Sequence, residues 1–343
     1  MFQTCFGLAF SARKKYYRLM IRKEIQDTEL LAHLSSIFKN EMTGFVMADG
    51  LYRGALFNAT DLVNQMAVQW NHGPLETMIL AQAYIAAALL IPSMKGKEQL
   101  QLRYDTEGPA AGFCVEADST GYVRGYILQD QIPIEKPLES WDLSPFFGEG
   151  RLKVTRFPEG STEAFTGIVE IRYKNIAKDL SWYFLQSEQI NTAINISVQF
   201  DSKARIVGAG GFFLQALPNI GGKIKPKLTK ELLLKKDGLF EASELLKEKV
   251  EHAFSSCPSL GQWYAEKGNN EDLIFGLFRE FNPVVAYTRE IHYDCPCSKE
   301  SFTAYIKNLG ETELKEIKEQ DLSPIEVVCH NCASVYEIDT ADL

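Results

Sequence analysis

Apolar and polar residues alternate with period two along several stretches between Thr43 and Leu217. Leu100, Leu102 and Tyr104 alternate with Gln99, Gln101 and Arg103. Ile194, Ile196, Val198 and Phe200 alternate with Asn195, Ser197 and Gln199. Phe165, Val169, Ile171 and Tyr173 share a face across Gly167. Strands of this kind bury one face and wet the other, as antiparallel sheets do. Two segments break the alternation. Asp61 to Trp70 predicts a helix capped by Thr60 or Asn58. Glu76 to Leu90 predicts a second, apolar nearly all round and therefore buried. The block is expected to be α+β.

The pattern changes after Pro218. Gly221 to Leu234 is Lys-rich and broken by Pro226. Leu239 to Phe254 predicts a charged amphipathic helix with Leu245, Leu246, Val250 and Phe254 on one side. Leu273 to Phe281 predicts a more apolar one. These helices have no evident core of their own, so they must lie on something else. From Asp294 onward, Phe302, Tyr305, Ile306 and Leu309 have helical spacing up to Gly310, a candidate C-cap. Leu314 and Ile317 suggest a second short helix. Ile325 and Val327, then Val335 and Ile338, read as two short hairpin strands. The expected organisation is an N-terminal extension of unknown role (1–42), a β-rich core with packed helices (43–217), a metastable helical linker (218–283) and a small metal-binding module (284–343).

Composition narrows the function classes. The formal net charge of -9 opposes a protein that mainly coats nucleic acid or anionic membrane. The longest apolar run, Met78 to Pro92, is interrupted by Gln82 and too short to span a bilayer. Met1 to Phe10 is mildly apolar, but its basic cluster Arg13-Lys14-Lys15 follows rather than precedes it, unlike a secretory signal. Met20 is a plausible alternative start. A soluble cytoplasmic protein is expected.

Of seven cysteines, Cys5, Cys114 and Cys257 are isolated, and Cys114 reads as a small buried hydrophobe. The other four are Cys295-Pro296-Cys297 and, after 31 intervening residues, Cys329-His330-Asn331-Cys332. Thiolates suit tetrahedral zinc, and these four complete its shell, leaving no open position for Lewis-acid chemistry. Closing the intervening loop costs about 3 kcal/mol. A structural zinc supplies roughly 10–16 kcal/mol to a module too small to build a core alone. His292 and His330 flank the cysteines as competing ligands. Zinc keeps the sulfurs as thiolates, the form that oxidants attack, and an oxidised sulfur is a poor ligand. The site is thus suited to be a redox switch.

Other motifs carry less. Gly208-Ala209-Gly210-Gly211 lacks the spacing and Lys-Ser/Thr ending of a phosphate loop and suits a buried strand or turn. There is no Gly-x-Ser-x-Gly, so no hydrolase triad is supported. The His-x-Glu of a zinc deaminase is missing too. His33, His72 and His252 read as surface or structural residues. The basic residues from Lys223 to Lys236 are diluted by Glu231 and Asp237 and read as a solvated face.

The cysteine pattern, with Ser298-Lys299-Glu300 after the first pair and Tyr336 after the second, resembles the heat shock protein 33 family of redox-regulated 33 kDa chaperonins. Arg53-Gly54, Glu107-Gly108-Pro109, Val123-Arg124-Gly125-Tyr126 and Gly148-Glu149-Gly150 look like core motifs of that family. So do Tyr183 to Gln189, Ala209-Gly210-Gly211 and Leu214-Gln215. The resemblance runs from about Gly44 to Leu343. It implies an ATP-independent holdase, not an enzyme, that holds one zinc ion when reduced. It also implies disulfides Cys295–Cys297 and Cys329–Cys332 on oxidation, zinc loss, linker unfolding, binding of unfolding client proteins and an active form that is often dimeric. Leu245, Leu246, Val250, Phe254, Leu273, Phe275 and Phe278 are expected to face partners in the reduced form and to bind clients once freed. Pro296 removes an N–H near the thiolates, and Ala333 stands where many relatives carry Gly. The competing readings are a zinc-ribbon binding module with purely structural zinc and a thiol oxidoreductase using Cys329 and Cys332. The second lacks a thioredoxin-like setting.

Overall fold

The computed structural model describes residues 20–37, 40–134, 140–218, 238–310, 313–315, 317 and 323–343. The Lys-rich stretch from Gly221 to Leu234 and the whole of residues 1–19, with Met1 to Phe10 and Arg13-Lys14-Lys15, lie outside them; of the second short helix expected around Leu314 and Ile317, residues 313–315 and 317 are described and are helical.

In chain order the helices are α1 (Thr28–Ser35), α2 (Thr60–Trp70), α3 (Pro74–Leu90), α4 (Ile176–Tyr183), α5 (Gly238–Ser255), α6 (Leu260–Ala265), α7 (Asn270–Phe278) and α8 (Lys299–Lys307). The strands are β1 (Glu41–Met47), β2 (Tyr52–Asn58), β3 (Gln99–Thr106), β4 (Gly112–Asp118), β5 (Tyr122–Ile127), β6 (Gly150–Phe157) and β7 (Phe165–Glu170). Then follow β8 (Thr192–Phe200), β9 (Ile206–Ala216), β10 (Val284–Glu290), β11 (His292–Tyr293), β12 (Ile325–Val328) and β13 (Val335–Ile338). The fold is α+β. One sheet has the order β10-β1-β2-β9-β8, another β11-β5-β4-β3-β6-β7, and β12-β13 form a separate hairpin. Pairing is antiparallel except where β11 runs parallel to β5.

The chain divides into two compact units. Of the described residues, the larger holds those between 23 and 293 with the turn 330–333, and the smaller those from 20 to 22, between 294 and 329, and 334–343. Within the larger unit α3 packs against both big sheets. Fifteen of its seventeen residues are buried, which is why its apolar character shows no preferred side. The stretch Pro74–Ser93 is long and apolar enough to cross a membrane, but it is packed inside the protein.

The other face of the five-stranded sheet is covered by α5, α6 and α7. Phe45, Met47, Leu56, Phe212 and Leu214 of the sheet form one cluster with Leu246, Val250, Leu260, Tyr264, Leu273, Ile274 and Phe278 of the helices. β9 alternates its sides there: Phe212 and Leu214 face these helices, and Gly208 and Gly210 let α6 approach. A Cβ on Gly208 would strike the backbone of Gly261, and one on Gly210 the ring of Tyr264. The glycine run thus lies in a strand whose two faces are both closely packed. Residues 284–290, grouped with the cysteine module in the sequence division, pair with β1 as β10.

Several sequence expectations change in detail. β3 keeps its alternation, with Leu100, Leu102 and Tyr104 buried. On β7, however, Phe165 is 62% exposed, Ile171 and Tyr173 lie beyond the strand, and only Val169 is buried. β7 is a sheet edge, and the ring of Tyr183 lies over Gly167 at its middle. β8, also an edge, buries only Ile194. The residue capping α2 is Ala59, between the two expected caps, but Asn58 Oδ1 still accepts from the Thr60 N–H at 3.2 Å. α8 ends at Asn308, before Gly310. In the hairpin the inward residues are Tyr336 and Ile338, while Val335 is exposed.

Candidate metal centre

Two local structures carry the four cysteines. Cys295 and Cys297 lie on the extended segment after β11, just before α8. Ser298 caps that helix, its Oγ accepting from the Ser301 N–H at 3.1 Å. Cys329 and Cys332 lie on the turn between β12 and β13, closed by the Cys329 N–H donating to the Ser334 carbonyl at 2.8 Å. Ala333, in this turn, has φ +54°. The Asn331 carbonyl accepts from the Gly125 N–H at 3.1 Å, and the Tyr293 hydroxyl donates to the Cys332 carbonyl at 3.1 Å.

These folds bring all four sulfurs together. They lie within 4.8 Å of one another, and every one of the four residues is buried. The Sγ atoms of Cys295 and Cys329 are 3.8 Å apart. Four thiolates about 2.3 Å from a tetrahedral ion stand about 3.8 Å from each other, so the donor set and spacing are compatible with zinc. Four protein ligands leave no position for a reacting water. The flanking histidines stand apart from this group: His292 Nε2 faces a Glu290 carboxylate at 3.5 Å, and the His330 ring lies against Tyr126 at 3.7 Å between centroids. Cys114 is buried in β4. Cys257 is half-buried beside the helix–sheet cluster, where burial pushes its thiol up to about 11 and keeps it protonated at neutral pH.

Of the residues named for client binding, Leu246, Val250, Leu273 and Phe278 are buried in the helix–sheet cluster, and Phe254 packs against it. Leu245 is partly exposed. Phe275 departs from the expectation: it is 44% exposed, on the outer side of α7, while its neighbour Ile274 points inward.

Two contacts escaped the sequence reading, one of them made by Tyr336, which the sequence marks only as part of the cysteine pattern. Asn270 is buried under the sheet. Its amide donates to the Glu41 carbonyl at 3.0 Å and to Thr43 Oγ1 at 3.0 Å, and its Oδ1 accepts from the Tyr264 hydroxyl at 2.7 Å. As the first residue of α7 it looks in sequence like an ordinary turn residue. The second is Tyr336, whose hydroxyl reaches Cys297 Sγ at 3.1 Å. Period-two reading of β13 from Ile338 would have turned it inward.

Two largely antiparallel sheets packed through a central helix, together with a buried cluster of four cysteines that could hold a metal ion, define the class as an α+β protein with a candidate cysteine metal site. Comparison with known proteins narrows this. The model of the family described as Hsp33 protein matches residues 40–339. The 33 kDa chaperonin of Desulforamulus reducens is 27% identical over 299 residues, covering 87% of this chain and 94% of that protein. The 33 kDa chaperonin of Lactobacillus delbrueckii subsp. bulgaricus is 28% identical over 288 residues, covering 83% and 90%. The crystal structure of the 33 kDa chaperonin (heat shock protein 33 homolog) from Thermotoga maritima superposes with a TM-score of 0.71 at 27% identity, covering 88% of this chain and 96% of that one. The chain belongs to the Hsp33 family.

Proposed function

We propose that this protein is a redox-regulated, ATP-independent holdase chaperone of the cytoplasm, acting on unfolding proteins under oxidative stress and carrying out no enzymatic turnover. The observation that carries the reading is the buried cluster of Cys295, Cys297, Cys329 and Cys332. Family membership supports the chaperone role.

In the reduced form Cys295, Cys297, Cys329 and Cys332 would hold one zinc ion. Bound zinc keeps the sulfurs ionised and staples the small module. A peroxide oxidises one sulfur: its lone pair forms an S–O bond, the O–O bond breaks, and hydroxide leaves. The neighbouring thiolate then displaces the sulfenic oxygen as a second hydroxide, forming the disulfide. In total two thiolates give up two electrons to one peroxide. The pairing proposed is Cys295–Cys297 and Cys329–Cys332. Disulfide sulfurs are poor ligands, so oxidised Cys295, Cys297, Cys329 and Cys332 would no longer hold the ion and the module would lose its staple.

The chain runs directly from α7 through β10 to Cys295, which gives unfolding of the module a covalent route to the helices. Residues 218–283 act as the metastable linker. Release of α5–α7 would uncover Phe45, Met47, Leu56, Phe212 and Leu214 along with their own apolar sides, including Leu246, Val250, Phe254, Leu273 and Phe278. Leu245 and Phe275 extend that surface from already accessible positions. A homodimer of the oxidised form belongs to the same reading, and nucleic acid and membrane do not.

The test follows zinc release with a chromogenic chelator while a thermally unfolding client is monitored by light scattering during peroxide treatment. Zinc loss with suppressed aggregation is expected. Zinc loss without suppression would leave only a structural zinc module and sink the chaperone reading.

A further inference from the structure

We infer that Tyr336 is a positioning residue for the metal centre: its hydroxyl donates to the Cys297 thiolate and tightens the site's hold on its ion. This rests on the proposal above that the four sulfurs hold zinc.

Tyr336 is buried, 4% exposed. Its hydroxyl oxygen is 3.1 Å from Cys297 Sγ and 3.0 Å from the Cys297 carbonyl oxygen. The phenol has one proton, and both the Cys297 sulfur and the Cys297 carbonyl oxygen are within reach of it. When Cys297 is a neutral thiol, its S–H can donate to the phenol oxygen while the phenol proton goes to the carbonyl. When Cys297 is a metal-bound thiolate, the sulfur can only accept. A hydrogen bond to an ionised acceptor is about twice as strong as one between neutral groups, so the proton turns to sulfur. Charge on the thiolate is then shared with a fixed donor in a place where water does not reach.

Both partners are held by elements of the small unit. Cys297 immediately precedes Ser298, the cap of α8. Tyr336 is set by the register of β13 against β12, where it lies opposite Val327, and its ring packs on Phe302 at 5.4 Å between centroids. The contact therefore ties the Cys-x-Cys segment to the hairpin that carries Cys329. Groups that hydrogen-bond a metal ligand orient it and commonly change metal affinity 10- to 100-fold.

The experiment uses the full-length reduced chain and the variant Tyr336→Phe, which keeps the ring and removes the proton. Zinc affinity by chelator competition should fall about 10- to 100-fold. In cobalt(II)-loaded protein the sulfur-to-metal charge-transfer band should move to lower energy, because sulfur lone pairs that lose a donor are easier to ionise. Phe302→Leu is the control for packing. It disturbs the Tyr336 ring but keeps the hydroxyl, so it should lower stability and leave the band in place. A Tyr336→Phe chain with wild-type zinc affinity and an unmoved band overturns the inference, as does a Phe302→Leu band that moves equally far. Wild-type protein that takes up no zinc overturns the metal reading itself, and this inference with it.

Discussion

Ala333 sits one residue after Cys332 with φ +54°, a left-handed conformation that costs an L-residue with a Cβ roughly 1–2 kcal/mol. The sequence already showed the feature at this position, since a turn needing positive φ prefers Gly. Part of that strain is offset because Gly is freer than Ala in the unfolded chain. Ala333→Gly should therefore stabilise the metal module by about 1 kcal/mol. Thermal unfolding of the zinc-loaded chain would show the gain; a lower midpoint would mean that the turn gains something from the methyl group. Other residue-scale features were not legible. Asp179 is fully buried and accepts from the backbone N–H groups of Arg172, Tyr173 and Asn175 and from the Tyr104 hydroxyl. A carboxyl group so surrounded is a structural anchor, and in sequence it is one of the chain's 45 acidic residues with nothing local to set it apart. Burial first, then the Asp179 charge, raises the Tyr104 phenol far above its ordinary value, so Tyr104 stays a donor at any working pH.

At the scale of elements, α5, α6 and α7 are the part of the fold most dependent on a neighbour. Their apolar sides complete a core whose other half is the five-stranded sheet. That they must lie on something follows from the sequence, because amphipathic helices this short are marginal alone. Which face they cover does not, because the contacts join residues more than two hundred positions apart, such as Asn270 and Thr43. Gly208 marks the closest approach. A Cβ there would meet the Gly261 carbonyl and the Ala265 backbone nitrogen of α6, neither of which can swing aside as a side chain can. Gly208→Ala is expected to loosen these helices in the reduced protein, raising binding of an apolar fluorescent dye several-fold and suppressing client aggregation without oxidant. Reduced Gly208→Ala protein that binds no more dye than wild type would show that α6 can shift without exposing the sheet.

For the molecule as a whole, the two units are stabilised by different means. The larger buries α3 and both big sheets in continuous apolar packing. Among its described residues the smaller buries Cys295, Cys297, Cys329, Tyr336, Ile306, Ile338, Met20 and two serines, and a structural zinc would contribute roughly 10–16 kcal/mol to it. Stripping metal with a chelator under reducing conditions should abolish amide protection across 294–343 while β3, β4 and β6 remain protected. Protection that survives in the hairpin after metal removal would show that β12 and β13 stand without it. By itself the sequence determined the strand faces of β3, the buried helix α3 and the four cysteines as one set, because each is written in local spacing or in side-chain chemistry. Tertiary structure alone decided that β7 and β8 are edges, that α5–α7 cover Phe45 and Phe212, and that Tyr336 meets Cys297. Those depend on which distant segments become neighbours, and no short-range period records it.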